Sequence, residues 1–225
     1  MEDYSDYIVP LFTAENEQSF CGTGFVLNEM LITAGHVPHP GGYIFLKDDN
    51  AFILKTIYDQ IRIEKPGLEV SENAPDIAIY FIPGLESPLE LSTELPPKDE
   101  ILTSICWQKT PYGLKQITSH CLLFENEDSG LQNKSSFHFV TNNKITHGSS
   151  GSPLLIGNKV YGMLVIGTER YKLTPEGIEA LKQNFSQEEI EQFVAIRQNI
   201  CTAENALFLQ EQVELGKSSF RFRML

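Results

Sequence analysis

His36, Asp76 and Ser150 each stand at the edge of an apolar segment. His36 closes Leu31-Ile32-Thr33-Ala34-Gly35-His36, Asp76 opens Asp76-Ile77-Ala78-Ile79-Tyr80, and Ser150 lies within Gly148-Ser149-Ser150-Gly151-Ser152-Pro153. A serine hydroxyl is a weak nucleophile at neutral pH, and it needs a base to take its proton and a carboxylate to orient that base. His36 and Asp76 are of the right types, and the small-residue turn around Ser150 lets backbone amides converge on an oxyanion. Taken singly, each has a bland reading: a structural histidine, a turn carboxylate, a tight glycine turn. Their conjunction in the order His, Asp, Ser, each beside a strand, is what points to acyl-transfer chemistry.

Groups that act together from such distant positions need a rigid scaffold, and the chain reads as strands. From Tyr7 to about Phe81, apolar runs broken by turn residues predict a sandwich or barrel. These runs are Tyr7 to Phe12, Gly24 to Leu27, Met30 to Thr33, Tyr43 to Leu46, Phe52 to Leu54 and Ile77 to Ile82. Pro83 to Pro97 reads as a proline-rich connector. A second strand set follows: Ile101 to Trp107 and Gln116 to Phe124, a hairpin across Thr110-Pro111-Tyr112-Gly113, then Phe137 to Val140. Pro153 to Ile156 and Val160 to Ile166 are joined by a tight Gly157-Asn158 turn. Glu125 to Ser136, polar and acidic, reads as a long loop.

Beyond Gly167 the character changes to helical. Thr174-Pro175-Glu176 predicts a helix start and Ser186-Gln187-Glu188-Glu189 a capping box. Apolar residues at Ala206, Leu207, Leu209, Val213 and Leu215 predict a further amphipathic helix, which packs on the strands or offers a partner surface.

Composition excludes several classes of function. Thirty acidic residues against 17 basic ones give a net charge of -13, which repels phosphate backbones and anionic lipid, so neither nucleic acid nor membrane is expected as a partner. No apolar run approaches the ~18 residues of a membrane span. The acidic start Met1-Glu2-Asp3-Tyr4-Ser5-Asp6 does not read as an export signal. The four cysteines, Cys21, Cys106, Cys121 and Cys201, show no CxxC spacing and are expected to be thiols in a reducing, cytoplasmic setting. His36-Val37-Pro38-His39 is an HxxH run, but its proline argues against the helix that zinc histidines use, and no metal or cofactor is expected.

Cys21-Gly22-Thr23-Gly24-Phe25-Val26, Thr33-Ala34-Gly35-His36, Asp76-Ile77-Ala78, the Ser150 hexapeptide and Val160 to Gly167 resemble, in order, the sequence blocks of trypsin-like serine peptidases of the chymotrypsin fold. The resemblance covers about residues 7 to 170. It implies an all-β fold of two antiparallel six-stranded β-barrels, 7–90 carrying His36 and Asp76 and 91–170 carrying Ser150, with 171–225 as a helical C-terminal extension. His36 would take the Ser150 proton and return it to the leaving amine, while Asp76 holds the imidazole. The amides of Gly148 and Ser150 would form the oxyanion hole. The substrate would be a protein or peptide. Its primary pocket would have Lys144, Ile145, Thr146 and His147 on one wall and Leu164, Val165, Ile166 and Gly167 on the other. A buried Lys144 would favour an acidic or polar P1 side chain; a lysine turned to solvent is the alternative, as a surface role is for His147.

Two departures from secreted members of that family carry information. Val37 stands where they have a cysteine, so the disulfide they form there is not expected here. Ser149 stands where they have an aspartate that pairs with a freed N-terminus on zymogen activation, so that route is not expected either. The Gly-x-Ser-Gly-Ser-Pro form is similar to bacterial glutamyl-endopeptidase-like, HtrA-like and viral members. The expected function is an intracellular serine endopeptidase with restricted substrates, regulated by a protein partner through residues 171–225, as suits a bacterial defence or signalling effector. The alternative is a catalytically silent binding module on the same fold, acting through its C-terminal helices.

Overall fold

The computed structural model describes residues 4–14, 19–37, 43–48, 51–56, 59–63, 76–97, 100–123, 136–143, 145–166, 182, 186–187 and 200–223. Among the described residues, seven strands make up the first unit: β1 (Ile8–Phe12), β2 (Phe20–Leu27), β3 (Met30–Thr33), β4 (Tyr43–Asp48), β5 (Ala51–Thr56), β6 (Asp59–Ile63) and β7 (Ile77–Phe81). They form one antiparallel sheet in the order β5-β4-β1-β2-β3-β7-β6. One register matters for function. β3 runs against β7 with Ile32 opposite Ile79 and Thr33 opposite Ala78, so the residues just after Thr33 and just before Ile77 leave the sheet at the same edge.

The second unit comprises β8 (Glu90–Leu91), β9 (Leu102–Thr110), β10 (Gly113–Leu123), β11 (Ser136–Thr141), β12 (Pro153–Ile156), β13 (Lys159–Ile166) and β14 (Ile200–Asn205). Six of these run in the order β12-β9-β10-β11-β14-β13, and the pairing of β12 with β13 closes them into a barrel. The hairpin turn at Pro111-Tyr112 falls where the sequence places it, with Thr110 opposite Gly113, as does the Gly157-Asn158 turn, with Ile156 opposite Lys159. β8 adds to β13 in parallel and lies inside the segment read as a connector.

β14 corrects the expectation that residues 171–225 are wholly helical. Ile200 to Asn205 sit between β11 and β13, and without them two strand edges of the barrel would be left unpaired. Cys201 and Ala203 of β14 pack into the interior with Leu102, Cys121, Phe139, Ile145, Leu154, Tyr161 and Leu164. A buried Glu204 interrupts the apolar run and hides the strand in the sequence. Of the loop expected over Glu125 to Ser136, Ser136 instead opens β11, and the rest of that loop, the helix start at Thr174 and the helix body behind Gln187 lie outside the described residues.

The expected amphipathic helix is present as α1 (Ala206–Arg223). It packs against β7, β8, β13 and β14. Leu209 and Val213 join a cluster that holds Ile79 and Phe81 from the first unit and Val160, Met163 and Val165 from the second. The apolar stripe of α1 is thus spent on sealing the chain's own two units, while Leu215 faces solvent. Cys21, Cys106, Cys121 and Cys201 are buried thiols in no disulfide. Among the described residues, no helix is long and apolar enough to cross a membrane.

Candidate active site

Ala34 to Val37 form a four-residue turn, closed by the Val37 N–H on the Ala34 carbonyl at 3.1 Å, which places His36 just beyond the end of β3. Asp76 immediately precedes β7 and, through the β3–β7 register, arrives beside it. Its carboxylate is almost wholly buried, at 2% exposure, and both oxygens are engaged by the same residue. Oδ1 accepts the His36 backbone N–H at 2.8 Å, and Oδ2 lies 2.7 Å from Nδ1. Backbone and ring of His36 are therefore fixed together. With the proton of a neutral imidazole held on Nδ1 by the carboxylate, Nε2 is the acceptor, and it lies 2.9 Å from Ser150 Oγ.

The segment around Ser150 consists of two consecutive four-residue turns that share Ser149. The Ser149 N–H closes the first on the Thr146 carbonyl at 3.2 Å, and the Ser152 N–H closes the second on the Ser149 carbonyl at 3.1 Å. The third position of each is a glycine at positive φ, +99° at Gly148 and +89° at Gly151. That position demands a left-handed residue in a type II turn, which is the physical reason for the Gly-x-x-Gly spacing. The amides of Ser149, Gly151 and Ser152 are all spent, that of Gly151 on the Leu164 carbonyl at 2.8 Å. Those of Gly148 and Ser150 donate to no acceptor among the described residues. The Ser152 hydroxyl also donates to the Ser149 carbonyl. Because a trans peptide points its N–H opposite to its C=O, anchoring that carbonyl directs the Ser150 N–H to the other side.

Thr23 of β2 locks the turn to the first unit. Its N–H donates to the Ser150 carbonyl at 3.0 Å, and its hydroxyl donates to the Gly148 carbonyl at 2.8 Å and accepts the Trp107 N–H at 2.9 Å. The Thr33 hydroxyl in turn donates to the Thr23 carbonyl at 2.6 Å. One threonine thus holds two carbonyls of the Ser150 turn and one strand of the second unit, so base and nucleophile are referenced to a common frame.

The residues expected to line a pocket are only partly brought together. Ile145, Leu164 and Val165 are buried in the core, so their side chains line no pocket. Thr146 and His147 are the first two residues of the first turn and are exposed. Ile166 ends β13. Lys144, Gly167 and the HxxH residue His39 lie outside the described residues.

No protein-family model and no curated protein sequence matches the chain. Solved structures do. Neuropsin, a serine protease expressed in the limbic system of mouse brain, superposes with a TM-score of 0.63 at 11% identity over 95% of each chain. Kallikrein-related peptidase 10 gives 0.62 at 14%, covering 97% of this chain and 100% of its own. The active form of an M. tuberculosis protease gives 0.55 at 14%, covering 92% and 78%. The chain has the chymotrypsin fold. Identities this low carry architecture alone. Within that chymotrypsin fold, the sequence reading assigned no role to Thr23 or to Gln108. Thr23 lies inside Cys21-Gly22-Thr23-Gly24-Phe25-Val26, and its position between two glycines is the available signal. Gln108 follows a strand run and carries none beyond its two-residue spacing from the apolar Cys106.

Proposed function

We propose that the chain is a serine endopeptidase that hydrolyses protein or peptide substrates through His36, Asp76 and Ser150. The observation that carries this reading is the unbroken hydrogen-bonded series from Asp76 through both nitrogens of His36 to the Ser150 hydroxyl. In the reaction, Ser150 Oγ bonds to the scissile carbonyl carbon as its proton passes to His36 Nε2, and Asp76 stabilises the imidazolium. The amides of Gly148 and Ser150, unspent within the described protein, receive the oxyanion. Collapse breaks the C–N bond, and the leaving amine takes the proton from Nε2. Water then repeats the sequence on the acyl-enzyme. Each oxyanion donor is worth on the order of 3 kcal/mol of transition-state stabilisation.

Four buried thiols support a reducing, cytoplasmic setting. A regulatory partner acting through residues 171–225 meets the outer face of α1, where Leu215 is exposed, since the apolar stripe is already occupied. The test is labelling with a fluorophosphonate probe. Wild type is expected to label and Ser150→Ala to remain unlabelled. Equal labelling of both would refute the mechanism, and no labelling of either would favour the silent binding module.

A further inference from the structure

Ser149 is the joint between the two turns, and the amides assigned to the oxyanion belong to the residues on either side of it. Its side chain is fully buried. Ser149 Oγ accepts a hydrogen bond from Gln108 Nε2 at 3.0 Å and donates to Cys106 Sγ at 3.4 Å. Gln108 Nε2 also donates to Cys106 Sγ at 3.3 Å, which closes a triangle of three side chains beneath the turn. Gln108 and Cys106 are two residues apart in β9 and so share a face of the strand. β9 is itself held on both sides, by β10 along its length and by β12.

Any arrangement of the turn that carries Ser149 away from β9 leaves the buried amide of Gln108 short of an acceptor. Stranding a buried polar group is unfavourable, so the triangle biases the joint toward the arrangement seen here. The geometry points to Gln108 as a positioning residue for the Ser150 turn, holding Ser149 so that the Gly148 and Ser150 amides stay presented. The inference rests on the peptidase reading. It specifies how that site is kept assembled: by an uncharged donor within the same chain, where an aspartate at this position would need a cationic partner.

The experiment measures the maximal labelling rate by a fluorophosphonate and the probe concentration at half-saturation. Gln108→Met keeps the side-chain length and removes the donor. It is expected to lower the maximal rate roughly 10- to 100-fold and to leave half-saturation within about twofold, because the donor aligns transition-state contacts and not probe binding. Ser149→Ala should lower the rate by a similar factor and carries the same test if Gln108→Met does not fold. The double variant should be no slower than the slower single one, as both act through one hydrogen bond. Gln116→Met is the control: Gln116 Nε2 donates to the Ser5 carbonyl at 2.8 Å, away from the turn, and its loss should leave the rate at the wild-type value. A wild-type rate in Gln108→Met, multiplicative losses in the double variant, or an equal loss in Gln116→Met would each overturn the positioning role alone. An unlabelled wild type would overturn the peptidase reading and this inference with it.

Discussion

At Gly151 a Cβ would fall 2.0 Å from the Thr23 carbonyl oxygen and 2.2 Å from Thr33 Oγ1, on a backbone whose φ of +89° already disfavours an L side chain. Gly157 shares the second difficulty and not the first, since its φ is +60° with nothing within 4 Å of the added atom. The pair separates conformational strain from steric conflict. Gly157→Ala is expected to cost about 1 kcal/mol, a fall of roughly 2–4 °C in Tm for a domain of this size. Gly151→Ala should lower Tm by at least three times as much, because the first-contact atom is backbone and has nowhere to go; equal shifts in calorimetry would refute the steric account. At this scale the sequence was informative where a polar residue ends an apolar run, as His36 and Asp76 do. It was silent where a polar residue sits within a strand: nothing local to Gln108 or Thr23 says which face is inward or which loop will lie over it.

At the scale of elements, β14 and α1 do different work although they are contiguous. Removing α1 takes away Leu209 and Val213, each worth about 1.5–3 kcal/mol when fully buried, and uncovers the cluster they pack into, but leaves every strand of the barrel in place. Removing β14 as well opens the barrel between β11 and β13. A chain ending at Asn205 is therefore expected to keep its strand signal in circular dichroism and to melt cooperatively at a lower temperature. One ending at Asn199 should lose cooperative melting of the second unit, and retention of a wild-type transition would contradict the topology. Strand legibility followed the continuity of the apolar run. β1, β3, β7, β12 and β13 are continuous apolar runs and were visible. β6, with Gln60 and Arg62 interleaved, β8, with two residues, and β14, with its buried Glu204, lack that mark and acquire their strand character only from the neighbours they pair with.

For the molecule as a whole, the buried thiols set the alkaline limit of stability. Burial raises the pKa of Cys106 and Cys121 and pushes that of Cys201 up to about 12, from an ordinary 9.0. The folded state thus keeps protons that the unfolded chain releases. This contribution is fully present below pH 9 and is lost as pH rises through about 12. Urea midpoints should accordingly fall between pH 9 and 11, with a shallower fall in Cys201→Ala; parallel slopes would show that the thiol is not responsible. The same barrel has a further consequence. β14 can pair with β11 only after everything from Val140 to Ile200 has been made, and such long-range pairing is slow to form. During synthesis the N-terminal sheet can assemble first, bringing His36 to Asp76. The barrel that seats Ser150 stays incomplete until residue 205 has emerged. Translation therefore separates base and nucleophile in time, and a nascent chain holds the first well before it can present the second.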